Sequence, residues 1–153
     1  MTGLADWQWS SFDALSKDDL YAVLAVRQQV FVVEQRCAFQ DADGYDEQAF
    51  HLLGWCADGA QRKLVAYLRC LPPGIKNAEI ALGRVLCVPA ARGVGLGRAL
   101  LEQGIREAER QFPGRRIGVS AQLHLEALYR RFGFERVSDP YDEDGIPHLD
   151  MLR

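Results

Sequence analysis

Hydrophobic and polar positions along this chain switch between a two-residue and a three-to-four-residue period, and the switches mark out its elements. Trp7 to Phe12 is short and aromatic, with Trp7 and Trp9 on one side, and predicts a first strand. Ser16 offers an N-cap with Asp19 at the capping-box position, and Leu20, Val23, Leu24 and Phe31 continue as a helical stripe. Phe50 to Ala57 and Lys63 to Leu71 are apolar runs joined by Asp58-Gly59-Ala60-Gln61-Arg62, a hairpin by composition. Pro72-Pro73-Gly74 stops the second run, and Glu79 to Val88 predicts the next strand. Leu96, Leu100, Leu101, Ile105, Ala108 and Phe112 make one face of a helix that Pro113-Gly114 ends. Arg116 to Ala121 predicts a short strand. Leu125, Leu128, Tyr129 and Phe132 predict a second amphipathic helix, with Gly133 at its C′ position. Phe134 to Val137 and His148 to Leu152 are expected to close the chain as an antiparallel pair. The order is β, α, three strands, α, β, α, β, β, an α/β (α+β) domain whose mixed sheet is flanked by helices. No repeat, linker or low-complexity tract divides residues 1–153, so a single domain is expected.

Charge changes this picture in a few places. Arg27 falls inside the apolar stripe of the first helix, and Glu34 lies one heptad on, facing nearly the same way if the helix persists. Buried charges require partners, so the two read as an ion pair or as the wall of a site, with the ion pair favoured. The formal net charge of −3 argues against general nucleic-acid binding and leaves a local anion site open. Arg92 to Arg136 holds nine Arg against five Glu, whereas Phe39 to Leu52 holds Asp41, Asp43, Asp46 and Glu47 with no Lys or Arg. Ser138 to Asp150 repeats the acidic bias with Asp139, Asp142, Glu143, Asp144 and Asp150. One region suits a polyanion; the other two are solvated loops or attract a cation. Asp41 to Asp46 is not a calcium loop, because its glycine is fourth and Leu52 stands where a bidentate Glu is required.

No apolar run approaches the ~18–20 residues of a membrane span, and Met1 to Phe12 carries no Lys or Arg to begin a signal segment. Cys37, Cys56, Cys70 and Cys87 form no C-x-x-C pair. They read as free thiols in a reducing cytoplasm rather than as disulfides or metal ligands.

The chemistry centres on Ile80 to Leu101, where an apolar strand passes into a turn with Gly93, Gly95 and Gly97 and then into a helix. The first N–H groups of a helix lack internal partners and favour negative charge, and glycines let a phosphate approach them. Arg92 adds a charge-assisted donor. A P-loop is excluded because Arg98-Ala99 follows Gly97 where Lys-Ser/Thr is required. A dinucleotide fingerprint is excluded because Arg98 or Leu100 occupies its last glycine position in the two registers. What remains is R-x-x-G-x-G.

Arg92-Gly93-Val94-Gly95-Leu96-Gly97 resembles the pyrophosphate-binding motif of the GNAT N-acetyltransferases, and Leu128-Tyr129-Arg130-Arg131-Phe132-Gly133-Phe134 resembles that family's second signature. Arg27 through Val30-Phe31-Val32-Val33-Glu34-Gln35, Gly83-Arg84-Val85, Ala121-Gln122 and Asp144-Gly145-Ile146-Pro147-His148 are similar to its ElaA-like branch. The resemblance implies a GNAT-like domain with a mostly antiparallel sheet. It implies direct transfer of an acetyl group from acetyl-CoA, as cosubstrate, to a primary amine of a small molecule, peptide or protein. It places Val85, Leu86 and Cys87 beside the pantetheine arm, with Cys87 standing in for a small aliphatic rather than serving as a nucleophile. Gln122 stands where many members carry an Asn that contacts the cofactor, and Arg98, Arg130 and Arg131 are candidates for the 3′-phosphate. Tyr129 takes the position of the general acid, and a phenol near ~10 is protonated beside a thiol near ~8.5. For the base or acceptor site, Glu34, His51, His148 and Glu79 remain candidates, as does ordered water. A CoA-binding regulatory module without transfer activity and a transferase for a longer acyl group are the alternatives. The chain is expected to be a monomer or homodimer without membrane, nucleic-acid or metal partners, its acceptor amine cationic if the acidic segments flank the cleft.

Overall fold

The computed structural model describes residues 4–153. Its strands are β1 (Asp6–Ser11), β2 (Phe50–Asp58), β3 (Gln61–Leu71), β4 (Ile80–Cys87), β5 (Ile117–Gln122), β6 (Glu135–Arg136), β7 (Tyr141–Glu143) and β8 (Ile146–Leu152). The α-helices are α1 (Lys17–Arg27), α2 (Leu96–Gln111) and α3 (Glu126–Arg131). The strands form one mixed sheet in the order β1-β2-β3-β4-β5-β8-β6, with β7 paired to β8. Every pairing is antiparallel except β4 with β5. The mixed, helix-flanked sheet expected from the periodicity is thus present, and its pairing is mostly antiparallel, as the family resemblance implies.

Successive residues of a strand point to opposite faces, and Leu64–Leu71 of β3 are all buried. Both faces of the central strand are therefore covered, and α1 and α2 are the helices that contact it. Trp9 stacks on Phe50 at 5.4 Å, and Phe50 meets Phe112 edge-on at 5.8 Å, which locks β1, β2 and the end of α2 together. Ser16 caps α1 by accepting from the Asp19 backbone N–H. The Asp19 carboxylate, placed by sequence in a capping box, instead accepts from Arg62 and Gln8.

Two further features depart from the sequence pattern. The closing strand pair gains a third member, because β7 turns through Asp144-Gly145 into β8. The first helix continues past Arg27, but in π winding over Gln28–Glu34, with the Gln35 N–H bonded to the Val30 carbonyl. Bonds that span five residues widen the coil, so Glu34 turns off the Arg27 face and the expected Arg27–Glu34 pair does not form.

Arg27, fully buried, instead binds the Asp41 carboxylate at 2.8 Å, the Asp46 carboxylate at 2.6 Å and the Asp41 carbonyl at 2.8 Å. Arg69 holds both oxygens of Asp43 and shares Asp46, and Arg84 reaches Asp41 and Asp43. Three guanidinium groups thus face three carboxylates with no charge left over. The acidic segment at 39–52 is accordingly not an open surface for attracting a cation. Its aspartates are neutralised by arginines that the sequence places inside apolar strands and a helix stripe.

Burial opposes ionisation of Asp43 and Asp46, yet the arginine hydrogen bonds and charges hold both carboxyls below the ordinary carboxylate range. A carboxyl depressed on folding stabilises the fold above its unfolded value, near ~3.9, and that contribution is lost as pH falls through the folded value. The urea midpoint is therefore expected to hold steady down to about pH 5 and to fall steeply below about pH 4. A midpoint flat to about pH 3 would show that the network adds nothing to stability.

Candidate active site where β4 and β5 part

β4 and β5 pair through Ile80↔Ile117, Ala81↔Gly118 and Leu82↔Val119, and no further. The divergence follows from a bulge in β4. Between Tyr67↔Leu86 and Arg69↔Gly83, two steps of β3 oppose three of β4, and Arg84 takes a left-handed φ of +50°. A bulge bends the strand that carries it. A left-handed backbone is costly for a residue with a side chain, and Arg84 is held in it by Asp41, Asp43 and the face of Phe39, 5.4 Å from its guanidinium carbon. The buried ion network therefore anchors the bulge. Beyond it the strands open onto a cleft of about 1330 Å³ lined by Val85, Leu86 and Cys87 from β4, Gln122 from β5 and Tyr129 from α3.

The glycine turn lies at the end of β4. Gly93 and Gly95 have φ of +87° and +85°, a conformation that side chains resist, and Gly95 caps α2 without any side-chain hydrogen bond. Ala99 N–H bonds to the Gly95 carbonyl at 3.1 Å, so the N–H groups of Leu96, Gly97 and Arg98 precede the first intrahelical bond. The Leu96 side chain is buried, which leaves only its backbone to a ligand, and Val94 is exposed. At Gly97 nothing in the chain demands glycine: a Cβ there would meet only the Cys87 sulfur, at an ordinary 3.9 Å. A helix N-terminus with free backbone donors and a glycine that folding does not require is open to an anion.

Arg92, expected as a donor to the phosphate, is engaged by protein groups in this structure. Its guanidinium forks onto Glu34 at 2.6 and 3.1 Å, and its Nε donates to the Cys87 carbonyl at 3.0 Å. The pair is half-exposed, which limits its worth to about 0–1 kcal/mol. Of the candidates for a 3′-phosphate, Arg130 is paired with Glu126. Arg98 and Arg131 are exposed and make no ion pair among the described residues.

Tyr129 sits on α3, which follows a 3₁₀ turn at Leu123–Leu125 and ends before Gly133 with its φ of +85°. Its ring meets Phe134 edge-on at 5.6 Å. The residue is 5% exposed, and burial alone pushes its hydroxyl up to about 12, with no hydrogen bond contributing. A protonated donor without a hydrogen-bond partner among the described residues thus lines the cleft.

The base candidates separate clearly. His51 is sealed in the core: its Nε2–H donates to the Asp46 carbonyl at 2.9 Å and its Nδ1 accepts from the Tyr67 hydroxyl at 2.7 Å. Burial lowers its pKa and keeps it neutral. It does not reach the cleft, which withdraws it as a base. Glu34 lines the cleft, but both of its oxygens accept from Arg92. Glu79 lies at the far end, by Lys76 and Asn77. His148 lines the cleft opposite Gln122, its β5 partner in register. The Cys87 thiol is pushed up by burial, against the pull of Arg92, so it carries little thiolate.

A family model described as an acetyltransferase (GNAT) domain matches residues 45–153. The chain belongs to the GNAT family. Within it the chain falls in the ElaA-like branch: Protein ElaA of Escherichia coli is 39% identical, over 98% of this chain and 97% of that protein. A UPF0039 protein of Synechocystis is 43% identical over 96% of this chain and 94% of its own length. Among solved structures, an acyl-CoA N-acyltransferase from Pseudomonas aeruginosa superposes with a TM-score of 0.90 at 43% identity, covering 97% of this chain and 99% of that one. E. coli ElaA superposes with the same TM-score of 0.90 at 38% identity. Membership of the GNAT acyltransferases makes acyl transfer the reaction class of this chain. The bulge at Arg84 and the placing of Ser120 and Tyr141 in the cleft escaped the sequence reading, and Glu143 was read only as one member of an acidic segment, because these positions depend on strand pairings that no local motif encodes.

Proposed function

We propose that the chain transfers an acetyl group from acetyl-CoA to a primary amine, on a small molecule or a peptide or protein, by direct attack within a ternary complex. The observation that carries this is the protonated Tyr129 hydroxyl, unpartnered among the described residues, in a cleft also lined by Cys87 and by Arg92, the residue that leads into the glycine turn. The backbone N–H groups at the start of α2 would receive the pyrophosphate, with exposed Arg98 and Arg131 available to the 3′-phosphate. The edge of Val85–Cys87, released from β5, would hydrogen-bond the pantetheine amides as a strand partner does, and Gln122 faces it from β5. A strand N–H near Cys87 would meet the oxyanion of the tetrahedral intermediate. The four free thiols accord with a cytoplasmic location, and the enzyme is proposed to act as a monomer or homodimer.

In this mechanism the amine nitrogen attacks the thioester carbonyl to form a tetrahedral intermediate, and the C–S bond breaks as that intermediate collapses. A hydroxyl pushed up to about 12 is harder to deprotonate than a thiol. Tyr129 therefore acts first as a hydrogen-bond donor to the sulfur as charge develops there. It yields its proton as the departing sulfur becomes a thiolate, and the amine nitrogen of the intermediate, which must lose a proton, restores it.

Direct transfer predicts intersecting initial-velocity lines when acetyl-CoA and amine are varied together. Parallel lines would indicate an acyl-enzyme, for which Cys87 is the available nucleophile. The cradle is tested separately by Gly97→Val. The expected result is a KM for acetyl-CoA raised about tenfold or more, the equivalent of about 1.4 kcal/mol, with little change in Tm. A fall in Tm without a rise in KM would show that Gly97 serves packing instead.

A further inference from the structure

The cleft extends from Val85, Leu86 and Cys87 of β4 onto an open face of the sheet, formed by Gly118, Ser120 and Gln122 of β5 and by His148, Asp150 and Leu152 of β8. On this face one imidazole is fixed from several sides. His148 Nδ1 lies 2.7 Å from the Ile146 carbonyl. A carbonyl only accepts, so Nδ1 carries the hydrogen and, in the neutral ring, Nε2 keeps its lone pair. Nε2 faces the carboxylate of Glu143 on β7 at 3.3 Å. The Tyr141 ring stacks on the imidazole at 6.3 Å and 23°. Tyr141 is itself fixed, its hydroxyl donating to Asp150 at 2.6 Å and meeting the Ser120 hydroxyl. Burial and then the Asp150 bond push the Tyr141 hydroxyl up to about 12, so it remains neutral. His51, the other buried imidazole, holds the opposite tautomer and has no route to the cleft.

The charges on this face also differ from those of the 39–52 segment. There each aspartate has an arginine. Here, among the described residues, neither Glu143 nor Asp150 has a lysine or arginine partner; Asp150 accepts from Tyr141, and Glu143 faces only His148. The groups around His148 are thus Glu143 and Tyr141 from β7, Asp150 from β8, and the uncharged Ser120 and Gln122 from β5.

We propose that His148 is the catalytic base: it takes the proton from the ammonium of a cationic acceptor that enters over the β5–β8 face, with Glu143 balancing the imidazolium and Tyr141 holding the ring. This rests on the acyl-transfer function proposed above. The ammonium gives one proton to His148 Nε2, which passes it to water, and the freed lone pair forms the C–N bond. As the C–S bond breaks, the departing sulfur takes the Tyr129 proton, and the nitrogen gives its second proton to Tyr129, which restores the hydroxyl. The products are the amide, the free thiol and one proton released to water. Glu143 and Tyr141 touch no reacting atom and act as positioning residues.

Two measurements test this. In the unaltered protein, ¹⁵N NMR of the imidazoles is expected to show hydrogen on Nδ1 of His148 and on Nε2 of His51. In thiol-release kinetics with acetyl-CoA and an amine that supports turnover, His148→Gln is expected to lower kcat by about 10²–10⁴-fold. The same variant should keep the acetyl-CoA KM and lose the rise in kcat/KM on the acid side of the pH profile. Glu143→Gln is expected to lower kcat by a smaller factor, again without change in acetyl-CoA KM. An Nε2–H tautomer at His148, or a His148→Gln variant within about twofold of the unaltered kcat with its acid limb intact, overturns the base while acetyl transfer stands. If the unaltered protein releases no thiol with any amine, transfer itself fails and the base falls with it, an outcome recognised without any variant.

Discussion

Replacing Tyr129 with phenylalanine is expected to lower kcat for acetyl transfer by about 10²–10⁴-fold, with the KM for acetyl-CoA and the thermal midpoint nearly unchanged. The ring, which packs edge-on against Phe134, is retained, and only a hydroxyl without a hydrogen-bond partner among the described residues is removed. Deleting an unpartnered buried hydroxyl leaves no orphaned donor or acceptor behind, so stability has no reason to fall. A loss confined to kcat says that the hydroxyl acts only as sulfur departs. Thiol release under saturating acetyl-CoA, beside a calorimetric or spectroscopic melt, reads both quantities. An unchanged kcat would return Tyr129 to the role of a core aromatic. A raised KM with unchanged kcat would make it a binding contact.

The second large effect concerns stability. Arg27→Met is expected to cost about 3–5 kcal/mol, because it leaves buried Asp41 and part-buried Asp46 with less compensating charge. For a chain of this size that is a fall in Tm on the order of 10 °C. Because Asp41 also grips Arg84 at the β4 bulge, kcat per folded molecule is expected to drop too. Denaturant unfolding with kinetics on the same preparation tests the coupling. A loss below about 1 kcal/mol would mean that the carboxylates relax to water, and an intact kcat would separate the network from the bulge.

How much of this was legible in the sequence depends on whether the signal was local. Strand and helix periods, the turn residues and the positive-φ glycines are written within a few positions of one another. They gave the element order except for β7, and the left-handed turn at Gly93 and Gly95. The signature around Tyr129 was legible because it is contiguous. Partnerships across the fold were not. The Arg27–Glu34 expectation assumed α-winding, and the π turn at Gln28–Glu34 removed it. Asp41, Asp43 and Asp46 looked like an open acidic loop because their arginines come from α1, β3 and β4, up to 43 residues away in sequence. The clue was present: Arg69 stands inside a run of buried apolar positions, where only a paired charge is tolerable. The choice among Glu34, His51 and His148 rested on burial and on which ring nitrogen was engaged, and neither has a one-dimensional signature.

The most direct measurement is thiol release from acetyl-CoA by the purified protein across a panel of amines, with the acetylated amine quantified in the same reaction. Amine-dependent release, one thiol for each acetylated amine, most rapid with cationic primary amines, is the predicted result. Tight acetyl-CoA binding with no release on any amine, or release at the same rate without amine, would contradict it.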